Sequence, residues 1–551
     1  MKKRLIGSVL ILCILLPMFA IGASAATTTS ISQFGITWTF SEAVEYGQFA
    51  NGDYWVVGPV TITSITPATS TVGGVTMHGS MLNPPLSTNS QGFDSRIGSG
   101  NDYVESKNVA RVMPLVLQPG SSLLSCESHE DTKSNPHNYP QMKTIAILTV
   151  LAAPAAEGDF RPPYVGTDKS LNWNKSSLDY SKLGRLPIPA ADPSIKYVPY
   201  KLSDIEPRFE RPWMEINLTW AGRNMHADYN QLSLSGGIGT YGREIANTIS
   251  VGLLMLQLDY TDAEKETLLI RMVQYGIDIY GAAKLGGNWG NDGGHNMGRK
   301  MPMLLAGAVL DDENILEYAD AAKHRIFQED QQSFYISAKE VAQVPYTADD
   351  RRREPYTEDL IGMPEWGEKH MGMPQRDGSN WNAYYREINS GTWLGHALTA
   401  HIMGLEEEWN WPAYFDYMDR AADVDVYGRN TITASMMPFA YKMWKLYREV
   451  EPNISIHPDY IIYDQRGEKI KYSVTYKRTW AKAEDEEFRN VTLILASYNQ
   501  DGTLAAISQA KARFTTAYKL SLEVPIPPPL HAINKIFLWE DESMAPLIAC
   551  P

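Results

Sequence analysis

The stretch Tyr241-Gly242-Arg243-Glu244-Ile245-Ala246-Asn247-Thr248-Ile249-Ser250-Val251-Gly252-Leu253-Leu254-Met255-Leu256-Gln257-Leu258 is where the chain changes its period. Apolar and small residues recur here at helical spacing, and the same spacing returns in Glu264 to Ala283, Arg299 to Leu310, Asn314 to Phe327, Thr392 to Gly404, Trp411 to Ala422 and Ile432 to Tyr447. About seven helices without an intervening strand are therefore expected. Four of them open alike, at Gly242-Arg243-Glu244, Gly298-Arg299-Lys300, Gly391-Thr392-Trp393 and Asn430-Thr431-Ile432. Small residues on helices let neighbours pack closely, which fits paired helices in an α/α toroid with loops gathered at one end; an irregular bundle is the alternative.

Upstream the signals differ. Tyr54-Trp55-Val56-Val57, Val60-Thr61-Ile62-Thr63 and Thr144 to Val150 read as strands between Gly, Pro, Asn and Ser clusters. Residues 161–213 carry Pro162, Pro163, Pro187, Pro189, Pro193, Pro199, Pro207 and Pro212, so no long helix forms there, because each proline removes a donor and crowds the preceding turn. Downstream, Tyr460 to Tyr463, Ile470 to Tyr476, Val491 to Ala496, Thr503 to Ile507 and Ala532 to Trp539 read as strands, with Asp501-Gly502 as a hairpin turn. The expected fold is multidomain α+β. A signal peptide (1–25) leads into a β-rich domain (26–160), a proline-rich wrapped linker (161–213), a helical toroid-like domain (214–452) and an immunoglobulin-like β-sandwich (453–551).

The export reading rests on Lys2, Lys3 and Arg4, the apolar run Leu10 to Ile21, and Ala23-Ser24-Ala25 as a cleavage site. No later stretch is apolar for long enough to span a bilayer, so the mature chain is expected outside the cell with no membrane contact. Cleavage also removes Cys13 and leaves Cys126 and Cys550 as one potential pair. The formal charge of -15 becomes about -18 once the three basic residues are lost, which excludes a nucleic-acid partner. With 30 Tyr and 14 Trp, ring surface for stacking on sugars is plentiful, although large cores use the same residues.

Three polar constellations could carry chemistry. The first is the glycine- and asparagine-rich run from Gly286 to Lys300, with Asn288, Trp289, Asp292, His295, Asn296 and Arg299; such composition weakens local order unless the backbone is held for a purpose. A helix is expected near Gly298, putting His295 at its N-terminal end. The second lies in Gln331 to Ser390, too long for an ordinary connection, with Glu365, Asp377, Trp381, Tyr384, Tyr385, Arg386, Glu387 and Asn389. The third holds Arg223, Asn224, His226, Asp228, Tyr229, Asn230, Tyr241 and Arg243. A Walker phosphate loop and a G-x-S-x-G elbow are both missing, and His396 and His401 are five apart, off the helical metal-pair spacing. No metal ligand set is assigned, no cofactor is required, and a structural calcium is left open.

Two enzyme chemistries fit. In β-elimination a uronic acid carboxylate is neutralised by Asn, Arg or His, a His or Tyr removes the neighbouring proton, and a Tyr protonates the leaving oxygen; His295, Asn296, Arg299, Tyr384, Tyr385 and Arg386 supply these parts. Asn288, Trp289, Trp381, Asn389, Arg243 and His226 would complete substrate binding. In glycoside hydrolysis two carboxylates flank the bond, and Asp292, Glu365, Asp377 and Glu387 are the candidates. A non-catalytic glycan-binding or surface protein would share the signal and the aromatic surplus.

The order β-rich, helical, β, with a His-Asn loop followed by Tyr384-Tyr385-Arg386, resembles secreted bacterial polysaccharide lyases with a helical-toroid catalytic domain. That resemblance implies a polysaccharide substrate, with His295 or Tyr384 as base, Tyr385 as acid, and Asn296 and Arg299 as carboxylate neutralisers. The ending Asn534 to Glu540 followed by Met544 to Leu547 resembles the closing strand of modules at the C-termini of secreted Gram-positive glycan-degrading and surface proteins, which implies an extracellular setting and leaves cell-wall association open.

Overall fold

A computed structural model describes residues 26–86, 89–98, 100–131, 140–231, 241–342, 362, 364–367, 389–422, 437–448, 454–464, 467–476, 489–514, 519–525, 533–540 and 546–549. The expected signal peptide, the candidates Asp377, Trp381, Tyr384, Tyr385, Arg386 and Glu387, and Cys550 lie outside the described residues. The fold is α+β, with a β-rich N-terminal region and helices in the middle.

The N-terminal region is organised by one sheet. Its strands run in the order Leu115–Leu117, Val60–Thr66, Ile36–Gln48, Tyr54–Val57, Met142–Leu151, Ser121–Ser128 and Ser80–Leu82, with Thr27–Gln33 paired to Ile36–Gln48. Pairing is antiparallel except between Tyr54–Val57 and Met142–Leu151. Successive side chains of a strand point to opposite faces, and here both faces are covered. Leu123, Ala146, Leu148 and Val150 join Ile36, Trp38 and Val56 in a core private to this region. Their neighbours Leu124, Cys126, Ile145 and Ile147 face the other way, into the core of the helices. That double burial explains why Thr144 to Val150 reads as an almost unbroken apolar run.

The two regions are also joined by charge. Arg161, fully buried, bonds Asp53 Oδ2 at 2.7 Å from before the strand Tyr54–Val57, and Asp278 Oδ2 at 2.5 Å on the helix Asp262–Lys284. Its backbone exchanges two hydrogen bonds of 2.9 Å with the Gln274 carboxamide. Residues 161–213 form only short turns, as the prolines dictate, yet place Tyr164, Leu183, Tyr197, Phe209 and Trp213 in the shared core.

Among the described residues the α-helices of five or more residues are Gly242–Leu256, Asp262–Lys284, Lys300–Leu310, Glu313–Ala319, Gln328–Gln332, Ala338–Ala342, Leu394–Ile402, Pro412–Ala422 and Pro438–Tyr447, with shorter turns between them. Small residues set their approach: a Cβ at Gly276 would lie 2.3 Å from Pro302 O, and one at Gly395 would lie 1.8 Å from Ser250 Oγ. Asp262–Lys284 starts with a capping box between Thr261 and Glu264.

Two expectations are corrected. The helix expected over Asn314 to Phe327 stops at Ala319, where Asp320 turns extended (φ -69, ψ 108) and its carboxylate takes the Ala322 amide at 2.9 Å. A strand pair also interrupts the helical region, Ser333–Tyr335 against Pro364–Trp366. Among the described residues no helix is long and apolar enough to cross a membrane.

The C-terminal strands form two antiparallel sheets. One is ordered Ile454–Asp464, Gly467–Tyr476, Lys519–Pro525, and the other Leu504–Phe514, Arg489–Tyr498, Ile533–Glu540, Pro546–Ala549. The Asp501-Gly502 turn has Gly502 at φ 83, with Asn499 N bonded to Thr503 O at 2.8 Å.

Candidate active site

The run from Asn288 to Lys300 is held almost residue by residue by the short helix Gln328–Gln332. Gln331 Nε2 donates to Asn288 Oδ1 at 2.9 Å, and its Oε1 accepts from Asn291 N. Gln328 donates to Gly293 O and accepts from Asn296 N at 2.9 Å. Glu329 Oε1 accepts from Gly298 N at 2.6 Å, and Asp330 binds the Lys300 ammonium with both oxygens. A loop costly to order is thus ordered by side chains. The helix itself starts at Lys300, because Gly298 sits at φ 85 with Ala246 and His396 each 3.0 Å from where its Cβ would be. His295 lies five residues before that start.

Beneath the loop is a buried network centred on Glu215. Its Oε1 accepts from Tyr275 Oη at 2.7 Å and Arg299 Nε at 3.1 Å, and its Oε2 accepts from Trp289 Nε1 at 2.9 Å. Burial pushes this carboxyl up, but Arg299 and the donated hydrogen bonds outweigh burial and hold it below its ordinary value. His226 packs edge-on to Trp213 and accepts from Met214 N at 3.1 Å; burial drives its pKa down to about 4. Four candidates are therefore committed to the interior. Arg299 neutralises Glu215, Asn296 spends its amide on Leu218 O and Gly290 O, Trp289 stacks on Phe327, and His226 stays a neutral acceptor.

The three constellations meet one layer above. His295 stands edge-on to Tyr241, ring centroids 4.5 Å apart, with its amide bonded to Asp292 O. The guanidiniums of Arg223 and Arg243 each lie 5.9 Å from the Tyr241 ring centre. Asn389, at the start of the turn Ser390–Trp393, closes the group: a Cβ on Gly294 would lie 2.5 Å from Asn389 Oδ1 and 2.8 Å from Tyr241 Cε1. Only glycine lets these two side chains meet over the loop. Asn389 is 0% exposed, and neither its Nδ2 nor its Oδ1 has a hydrogen-bond partner.

Of the remaining candidates, Asn288 is exposed at the outer rim of the loop and Asp292 is half-buried within it. Arg243 pairs with its neighbour Glu244. Glu365 is fully buried on the strand Pro364–Trp366 and accepts the Trp366 amide at 2.8 Å. Among the described residues no group of three or more His, Cys, Asp or Glu is placed to hold a metal ion.

Sequence reasoning missed Glu215, Tyr275 and the whole Gln328–Gln332 segment. Glu215 had one signal, a lone carboxylate inside Trp213-Met214-Glu215-Ile216; the five consecutive polar residues read as surface. The chain matches no family model and no curated protein.

Proposed function

We propose that the protein is a secreted polysaccharide lyase that cleaves a uronic-acid-containing polysaccharide by β-elimination at the site formed by His295, Tyr241 and Asn389. One observation carries this reading: the buried, unbonded Asn389 carboxamide that meets the Tyr241 ring over Gly294, with His295 edge-on to the same tyrosine. Leaving a buried amide unpaired costs about 1–3 kcal/mol, and a substrate carboxylate that displaced the side chains covering Asn389 would relieve that cost. A carboxylate bonded by Asn389 makes the adjacent C5 proton acidic. His295 takes that proton, the C–H electrons form the C4–C5 double bond, and the C4–O bond breaks. The departing oxygen takes a proton from the Tyr241 hydroxyl, which is restored from water along with release of the proton on His295. Arg223 supplies positive charge for a polyanionic chain, locally offsetting the acidity of the molecule as a whole, while Arg243 is already paired with Glu244.

The helices are read in this proposal as an α/α toroid and the two C-terminal sheets as an immunoglobulin-like sandwich of the kind carried by extracellular enzymes. The reaction as written draws on protein side chains alone.

The test is incubation with a panel of neutral and uronic-acid polysaccharides, following ultraviolet absorbance of the unsaturated uronide and new chain ends separately. Both signals from a uronide, each lost at least ~100-fold in His295→Ala with an unchanged melting temperature, are the expected result. New ends without absorbance would assign hydrolysis, and neither signal would leave glycan binding.

A further inference from the structure

Gln328 differs from the other residues that clamp the loop. Asp330 and Glu329 hold its inner end, at Lys300 and Gly298, while half-exposed Gln331 holds its outer end, at Asn288 and Asn291. Gln328 alone bonds on both sides of His295. Its Nε2 donates to Gly293 O, two residues before, and its Oε1 accepts from Asn296 N, one residue after. The His295 amide closes a turn onto Asp292 O. The backbone under the imidazole is thereby fixed, leaving only the side-chain torsions to set its angle to Tyr241.

The carboxamide of Gln328 is itself locked. It is 0% exposed, and Nε2 also donates to Gln332 Oε1 at 2.6 Å. Gln332 in turn donates through Nε2 to Gly367 O at 2.6 Å and accepts the Gly367 amide on its backbone oxygen at 2.7 Å. Gly367 follows the strand Pro364–Trp366, which is paired to Ser333–Tyr335. Two amides in series thus carry the position of a sheet edge to both sides of one histidine.

We infer that Gln328 is the positioning residue of the loop that carries His295, setting the distance and angle of the imidazole to Tyr241 and Asn389. The inference rests on the proposed role of His295 as base. A displacement of about 1 Å at a reacting group costs on the order of 100-fold in rate, so the effect belongs in kcat and not in substrate binding.

Three variants test this in the full chain: Gln328→Ala, Gln328→Glu and, as a control on the same short helix, Gln331→Ala. Hydrogen exchange of the Gly293 to Gly298 amides is measured beside kinetics on the uronide that wild-type cleaves. Gln328→Ala is expected to speed exchange of the Asn296 amide at least about 10-fold and to lower kcat by about 10- to 100-fold with KM within about threefold. Gln331→Ala should leave kcat within about threefold. Gln328→Glu keeps the volume but lacks the Nε2 donor when ionised, so its kcat relative to wild-type should rise as pH falls and the acid regains a proton. That pH-dependent recovery decides the matter if the alanine variant fails to fold. Unchanged Asn296 exchange, unchanged kcat, or loss of kcat in Gln331→Ala equal to that in Gln328→Ala would overturn the inference. If wild-type cleaves no uronide the lyase reading fails, while the exchange data still report whether Gln328 holds the loop.

Discussion

Arg299 Nε donates to Glu215 Oε1 at 3.1 Å, and both side chains are 4% exposed. Neither charge has water to fall back on. Breaking such a pair from one side costs about 3–5 kcal/mol, because the other charge stays buried and uncompensated. Glu215→Gln also brings an amide NH2 against one of the donors Tyr275, Trp289 or Arg299. Urea unfolding should show a loss of at least about 3 kcal/mol; a loss under about 1 kcal/mol would mean the network relaxes and Arg299 finds another partner.

Two buried histidines give acid sensitivity. Burial lowers His226 and His396 to about 4 from the ordinary 6.5. The unfolded chain therefore binds protons that the folded chain refuses, and stability, full above pH 6.5, declines as pH falls from 6.5 towards 4. Each contributes about 3 kcal/mol to that decline. His396 Nε2 bonds Ala246 O at 2.9 Å, so His396→Gln keeps a donor while removing the titration. Melting temperatures between pH 4 and 7 should fall less steeply in this variant; parallel curves would refute the assignment.

Glu329 works in the opposite direction. Burial, with Asp330 beside it, raises its carboxyl to about 7. The folded state holds its proton longer than the unfolded state, so this residue lowers stability as pH rises from 4.5 through 7. Glu329→Gln mimics the protonated acid and keeps an acceptor for Gly298 N. It should gain on wild-type as pH rises, by at most about 3 kcal/mol at pH 8, read by denaturant midpoints at pH 5 and pH 8. A constant difference at both values would show that Glu329 does not titrate in this window.

Gly294→Ala tests the meeting point of the three segments. The new methyl would lie 2.5 Å from Asn389 Oδ1 and 2.8 Å from Tyr241 Cε1, so one of them must move. Activity is expected to fall at least ~30-fold, within the range for a misplaced catalytic group. The melting temperature should drop by less than that of Gly276→Ala, whose methyl collides with backbone between two core helices. Wild-type turnover in Gly294→Ala would place the chemistry elsewhere.

Much of the fold could be read from period alone. The switch at Tyr241, the strand Met142–Leu151 and the hairpin at Asp501-Gly502 are local patterns, and local patterns survive in the structure. The convergence of His295, Tyr241 and Asn389 was foreshadowed only as three separate polar groups. Side-chain direction was not legible. Arg299 sits four residues from His295, yet the left-handed Gly298 between them turns Arg299 inward to Glu215, and spacing along the chain carries no sign of that turn. The segment Gln328–Gln332 was illegible for another reason. Its polarity matches surface, and what buries it is the equally polar backbone of a loop 30 to 43 residues away.

Arg161 reaches one carboxylate on each side of the boundary between sheet and helices, Asp53 and Asp278. The boundary is therefore a seam and not a hinge. Prising the sheet away would split both ion pairs and open the core that Leu124, Cys126, Ile145 and Ile147 share with the helices, so the stabilities of the two regions are coupled. A gene fragment coding for the helices alone would leave Asp278 without Arg161, which makes this chain a poor donor of detachable parts.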